Sequence, residues 1–392
     1  MPRPTDPLDG AVGPSRPIDN TTPGGRLDRL DGLRAIACLM VYWHHTGTAI
    51  AWPPVAVYGS SGVYLFFVLS GYLLFRPAVT AVRADAPWTA VGQFYLRRVI
   101  RIWPPYFVAL ILYMAARAVT GQTMPNLGEF AARLFLLSGY FPDYNFFGVC
   151  AVFWTLAIEA QFYLLLPLVT RMSLAVSRGR VGAAPVVFIA IGLIARLAEG
   201  TIHEHLYGAN TQVIYRSALS YFDLFGYGMA VAAMEKTGRL RRLPLWLWLT
   251  AAAAVVLITN GWQTAHGEWI SSGRQWYANA YPPLIGLAAA AILTAVLNSS
   301  AYWVRWLTAA PVRFVGRISY SLYLYHIGVQ FALFQFVNLT PWISHFHARG
   351  FVYGLLFLGP TLVVSAVMFY LIERPCLRWA GAIRATATPT RQ

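Results

Sequence analysis

Charge is scarce in this sequence. Only 11% of its 392 residues are Asp, Glu, Lys or Arg, the acidic ones number 15, and Lys236 is the single lysine among 30 basic residues. A soluble domain carries about 25% charged residues, so an ordinary water-facing surface is excluded. Cysteine is equally thin. Cys38, Cys150 and Cys376 are scattered without the spacing of a metal site or a disulfide framework, and each reads as a small packing residue. The first 25 residues have no apolar stretch of the kind a signal peptide needs. Rich in Pro, Gly and Asp, they read as a disordered cytoplasmic tail. No repeat of fixed period is visible, and the two halves hold no matched pair of interrupted apolar segments, which argues against a transporter built from repeats.

Apolar residues are abundant: 57% of the chain is hydrophobic and 15% aromatic. A bilayer core takes about 20 apolar residues per helix. Ten stretches meet this, at 31–52, 58–76, 100–120, 151–170, 183–199, 217–235, 243–260, 280–298, 318–337 and 351–372. The pattern predicts an all-α polytopic membrane bundle of about ten transmembrane helices. It forms an integral-membrane domain over 26–378, between the tail 1–25 and a short cytoplasmic tail 379–392. The segment 121–150 reads as an interfacial or re-entrant piece.

The net charge of +15 would point to nucleic acid if it lay on a soluble face. With a cytoplasmic N-terminus, 24 of the 30 basic residues fall on the inside, counting those at adjoining helix ends; Arg117, Arg133, Arg196, Arg216, Arg274 and Arg349 remain. This is the positive-inside pattern. It predicts that both termini are cytoplasmic and that the partner is the lipid bilayer, with no nucleic acid. The preference for Arg over Lys points to a GC-rich bacterium and so to its inner membrane.

Two ionisable rings interrupt the first apolar run, in "CLMVYWHHTG" at 38–47. On a helix, Arg34 and His45 lie about 20° from a common face and roughly 16 Å apart, whereas His44 points about 80° away from Arg34. Asp31 can pair with Arg34 at i, i+3. An ionisable group at such depth is costly and faces either a polar cavity or a hydrogen-bond partner on another helix; spacing alone leaves both open.

The string "LDGLRAIACLMVYWHH" resembles the first helix of the bacterial membrane-bound acyltransferase family 3, in which ten residues separate the Arg from a His, here His45. "YLFFVLSGYLL" at 64–74, "FYLRRVIRIWPPYF" at 94–107, "FWTLAIEAQFYLLLPL" at 153–168, "GRISYSLYLYH" at 316–326 and "IERP" at 372–375 follow in the family's order. The resemblance implies transfer of an acyl group from a cytoplasmic donor, acyl-CoA, to a hydroxyl of a sugar or related acceptor.

The remaining polar residues acquire expected roles. Arg98 and Arg101, three apart on one face, either anchor the span or grip the phosphates of coenzyme A; the resemblance favours the second. Glu159, the single carboxylate of its span, becomes an orienting partner for His45 or a ligand for acceptor hydroxyls. Arg317 and His326 are assigned to the donor passage, and the serines of the same string to helix packing. The catalytic set is then His45, Glu159, Arg34 and Asp31, with His45 as base or acyl relay. No metal is expected: His345 and His347 would point apart on a helix.

With about twenty residues after the last span, no attached extracytoplasmic catalytic domain is expected, although some relatives carry one. The acceptor stays open among an envelope glycan, a lipid-linked sugar and a sugar or polyketide hydroxyl on a macrolide-like metabolite, as does the oligomeric state. Aromatic stretches at 139–148 and 260–283 can stack on sugars or form an interfacial belt. The rival readings are a proton-coupled transporter using His45, Arg34 and Glu159 as a relay, and a non-catalytic partner in envelope assembly.

Overall fold

Helices form where the apolar runs predict them. The structure, a computed structural model, describes residues 26–49, 59–86, 88, 90–137, 149–150, 152–207, 218–236, 245–265, 275–299, 302–336 and 349–385. Among these there is no strand. The helices are α1 (Arg26–Ala49), α2 (Ser61–Arg83), α3 (Val91–Val119), α4 (Leu127–Leu134), α5 (Phe153–Val176), α6 (Ala183–Tyr207), α7 (Phe222–Lys236), α8 (Leu245–Ala265), α9 (Gln275–Asn298), α10 (Ala310–Arg317), α11 (Ser319–Phe336), α12 (Arg349–Met368) and α13 (Arg374–Ala385). A wide helical turn, Phe369–Glu373, joins α12 to α13.

All ten expected stretches are helical over most of their described residues. Five described helical segments, Ser61–Arg83, Val91–Val119, Phe153–Val176, Asn279–Asn298 and Val352–Ile383, are long and apolar enough to cross a membrane. The chain is thus an all-α membrane protein, and length with hydropathy supports five crossings where ten were expected. Residues 379–385, expected in a tail, continue α13. The tail 1–25, residues 386–392, the aromatic stretch 139–148, residues 266–274 of the aromatic stretch 260–283, and His345 with His347 lie outside the described residues, while 260–265 and 275–283 are helical. Between α3 and α5 the segment expected to be interfacial holds the short α4. Its first turn is capped by Asn126, whose side chain accepts from the Glu129 N–H at 2.8 Å, and Arg133 pairs with Glu129 at 2.5 Å.

Close backbone approach sets the packing. A Cβ at Gly71 of α2 would strike the Phe225 carbonyl, and one at Gly228 of α7 the Val68 carbonyl, so α2 and α7 touch main chain to main chain, as small residues permit in membranes. Beside them Phe162 of α5 stacks on Phe225 with centroids 3.9 Å apart, and the buried Arg196 of α6 pairs with Asp223 of α7 at 2.8 Å.

The junction that places the site is α3 with α11. Pro104 and Pro105 lie inside α3 and have no N–H to give, which weakens the helix's own ladder there. Tyrosines of α11 meet the carbonyls nearby: Tyr320 OH donates to Ile102 O at 3.0 Å and Tyr325 OH to Pro105 O at 3.3 Å. In return Tyr113 OH of α3 donates to Leu324 O at 3.0 Å and accepts from the Gly328 N–H at 2.8 Å. In a bilayer, where main-chain groups have no water to turn to, such bonds hold helices in register.

Candidate active site

Arg34 and His45 both meet α11. The Arg34 guanidinium forks onto Ser319 Oγ, with Nε at 3.2 Å and Nη2 at 3.0 Å. Two turns further along α11, His326 Nε2 lies 3.0 Å from His45 Nδ1. The Arg34–His45 face inferred from spacing is therefore the face that α1 turns to α11. His44 stands beside His45, its ring at 72° and 5.0 Å, and its Cβ packs against the chain at Gly59. The i, i+3 pair of Asp31 with Arg34 does not form as an ion pair; Arg34 reaches across to Ser319, which satisfies two of its donors at once.

Hydrogen bonding assigns the protons of the two rings. His326 Nδ1 faces two carbonyl oxygens, Leu322 O at 3.1 Å and Tyr323 O at 2.9 Å, and carbonyls only accept. Nδ1 therefore carries the hydrogen, and neutral His326 presents a lone pair at Nε2. His45 Nδ1 lies between that lone pair and Val41 O, each 3.0 Å away. Facing two acceptors, it too carries the hydrogen, which leaves the lone pair of neutral His45 on Nε2.

On the other side of Tyr323 lies a cavity of about 100 Å³ between α1, α2, α3, α5 and α11. Arg34, Arg98, Arg101 and Glu159 all line it, together with Ser70, Thr155, Tyr163 and Ser319. Phe66, Leu69, Leu73 and Leu74 give α2 an apolar wall. Arg98 is stacked between two rings, 5.8 Å from the Phe94 centroid and 5.7 Å from that of Tyr163, and its buried Nε has no hydrogen-bond partner. A guanidinium held by stacking, with a donor unspent, suits an anion that arrives from outside.

Glu159 is not the partner of His45. Its Oε1 accepts from Ser70 Oγ at 2.8 Å and from the Tyr163 hydroxyl. A half-buried carboxylate takes the nearest donors, and here those stand on α2 and on its own helix one turn away. His326, expected beside the donor, pairs with the other histidine and does not line the cavity. Tyr323 separates the two: it borders the cavity, bonds Thr155 Oγ1 at 2.7 Å, and has its ring centroid 6.1 Å from that of His326. Arg317 is exposed and borders a different cavity with Arg374 and Tyr370, of about 280 Å³. Among the described residues no cluster of three or more His, Cys, Asp or Glu could hold a metal ion. Ser70 was quoted in a sequence string without a role and Ser319 was assigned to helix packing; the structure shows that they serve Glu159 and Arg34.

Fold and site thus define a helical integral-membrane protein with a histidine pair beside a cavity lined by arginines. Residues 27–372 match the family model described as an acyltransferase domain, and the chain belongs to this family, acyltransferase family 3. The family is one of enzymes that transfer acyl groups. The chain is similar to the peptidoglycan O-acetyltransferase OatA of Listeria monocytogenes, 25% identical over 88% of this chain and 55% of that protein. A Bacillus subtilis protein named provisionally for the same activity is 25% identical over 88% of this chain and 54% of its own length. Nodulation protein 10 of Rhizobium leguminosarum is 25% identical over 94% of this chain and 96% of that one. The chain therefore spans about half the length of the two former relatives and nearly all of the last. No solved structure matches it significantly.

Proposed function

We propose that the chain is a bacterial inner-membrane O-acyltransferase, with both termini cytoplasmic, that moves a short acyl group, acetyl in the simplest case, from acyl-CoA to a hydroxyl of a carbohydrate or glycosylated small molecule. The observation that carries the reading is the 3.0 Å pairing of His45 with His326, which presents the His45 Nε2 lone pair, beside a cavity holding three arginines. Arg98 and Arg101 grip the phosphates of the donor while its pantetheine arm reaches inward along the cavity. The acceptor O–H gives its proton to His45 Nε2 as its oxygen attacks the thioester carbonyl. The C–S bond breaks and the thiolate leaves, taking the proton back from His45. The charge that His45 carries in between is shared through Nδ1–H with His326 Nε2, so His326 serves the base and not the donor. Glu159, fixed by Ser70 and Tyr163, offers its remaining lone pairs to the donor or acceptor in the cavity.

Replacing both Arg98 and Arg101 with Gln raises the apparent donor constant and leaves that of the acceptor nearly unchanged. A hydrogen bond to a charged group contributes about 1.5–3 kcal/mol, so losing one contact weakens the donor by roughly ten- to a hundredfold. Titration with acetyl-CoA at fixed acceptor measures this, and an unaltered donor constant returns the pair to topological anchors.

The function itself is tested in sealed inside-out and right-side-out vesicles, given labelled acetyl-CoA and a carbohydrate acceptor on chosen sides. Product from a cytoplasmic donor and an outside acceptor is expected. Product only with both substrates on the cytoplasmic face confines the reaction to intracellular acceptors. Absence of thioester cleavage by the purified protein, with proton-coupled flux in its place, identifies a transporter.

A further inference from the structure

The helix that runs from α12 into α13 widens for one turn at Phe369–Glu373, and single wide turns of this kind recur at functional sites. The turn ends on Glu373, a carboxylate 1% exposed that no step above uses. Its Oε2 accepts from the backbone N–H of Ser321 at 3.2 Å and from the Ser321 hydroxyl at 2.6 Å. Ser321 is the third residue of α11. Its N–H is thus one of those that a helix start leaves without an intrahelical acceptor, and a negative charge there also favours the helix dipole. Capping groups normally come from the chain just before the helix. This one reaches in from 52 residues away, so it fastens the start of α11 to another helix.

What α11 carries makes that fastening matter. Two residues before Ser321 is Ser319, which receives the fork of Arg34; five residues after it is His326, which pairs with His45.

We infer that Glu373 is a positioning residue: through Ser321 it holds the first turns of α11 so that Ser319 meets Arg34 and His326 meets His45. The inference rests on reading His45 as the base. It assigns to the end of the last apolar helix a part in presenting a base on α1, by way of α11 and with no contact to substrate. Because the fastening works by accepting two hydrogen bonds, glutamine replaces glutamate well and alanine does not.

The test uses the full chain in lipid nanodiscs, comparing Glu373→Ala, Glu373→Gln and Ser321→Ala with the unaltered protein. The readouts are acetyl-CoA cleavage in the presence of N,N′-diacetylchitobiose and the ring ¹⁵N signals of labelled histidines. Signals that move in His326→Phe belong to the pair. Glu373→Ala is expected to lower kcat more than about tenfold with little change in the donor KM, the loss of two bonds of about 1 kcal/mol or more each, and to move the His45 and His326 signals. Glu373→Gln is expected to stay within about threefold and to keep them. Folded Glu373→Ala with unmoved signals and full rate overturns the inference, as does Glu373→Gln failing as badly as alanine. Should Glu373→Ala not fold, Ser321→Ala decides: it removes only the hydroxyl bond, and unmoved histidine signals in it also overturn the inference. If the signals respond as described while even the unaltered protein cleaves no thioester, the acyl-transfer reading fails and the positioning stands.

Discussion

His45→Ala abolishes acyl transfer at unchanged protein level, and His44→Ala leaves most of it. General bases contribute typically about 10²–10⁴-fold, and a histidine that also relays the acyl group would account for the whole rate. Alanine at 45 removes the lone pair that the hydrogen bonds of Val41 and His326 hold at Nε2. The neighbouring ring at 44 packs near Gly59 and belongs to a different face of α1 from the one α11 covers. The two variants differ in one ring at adjacent positions on one helix, so their cost to folding is similar and their difference in rate isolates the chemistry. Product formation by both, normalised to protein in the membrane, is the measurement. Equal losses overturn the face argument.

His326→Phe keeps the ring's volume and removes the acceptor for His45 Nδ1–H. When His45 takes a proton it becomes a cation in a place with little water, and a hydrogen bond to a charged group is worth about 1.5–3 kcal/mol. The expected result is a fall in kcat of roughly ten- to a hundredfold with the donor constant unchanged, since His326 does not line the cavity. His326→Gln, whose amide oxygen can accept the same bond, recovers part of the rate. A rise in donor constant with kcat intact would instead place His326 at the donor, as its position in the string "GRISYSLYLYH" first indicated.

That contrast shows what a sequence can disclose here. Helix positions were legible because a bilayer demands long apolar runs, and the α1 face was legible because eleven residues close three turns to within about 20°. Partners across the fold were not. Arg34 was matched with Asp31, the nearest carboxylate in sequence, but its fork closed on a hydroxyl 285 residues away. Glu159 was expected to orient His45 or to bind acceptor hydroxyls, because a lone carboxylate in a span needs a partner, and it is held by Ser70 and Tyr163. Nothing in a one-dimensional pattern tells a buried carboxylate which donor will stand closest. Glu373 stands in "IERP", a string that carried the resemblance but no role, and the wide turn that ends on it leaves no compositional mark.

The exchange of tyrosine hydroxyls and main-chain groups between α3 and α11 has a mechanical meaning. The helix that bears Arg98 and Arg101 and the helix that bears His326 form one stiff lever, with the proposed donor anchor at one end and the proposed partner of the base along its length. A lever of this kind lets thermal play at one end move Arg98, Arg101 and His326 together, so the distance between them is conserved while the whole unit sways. On the proposed reading, the residues that would grip the donor then keep their distance from the ring that supports His45. Stiffness in this pair of helices is supplied by phenolic hydroxyls and main-chain groups.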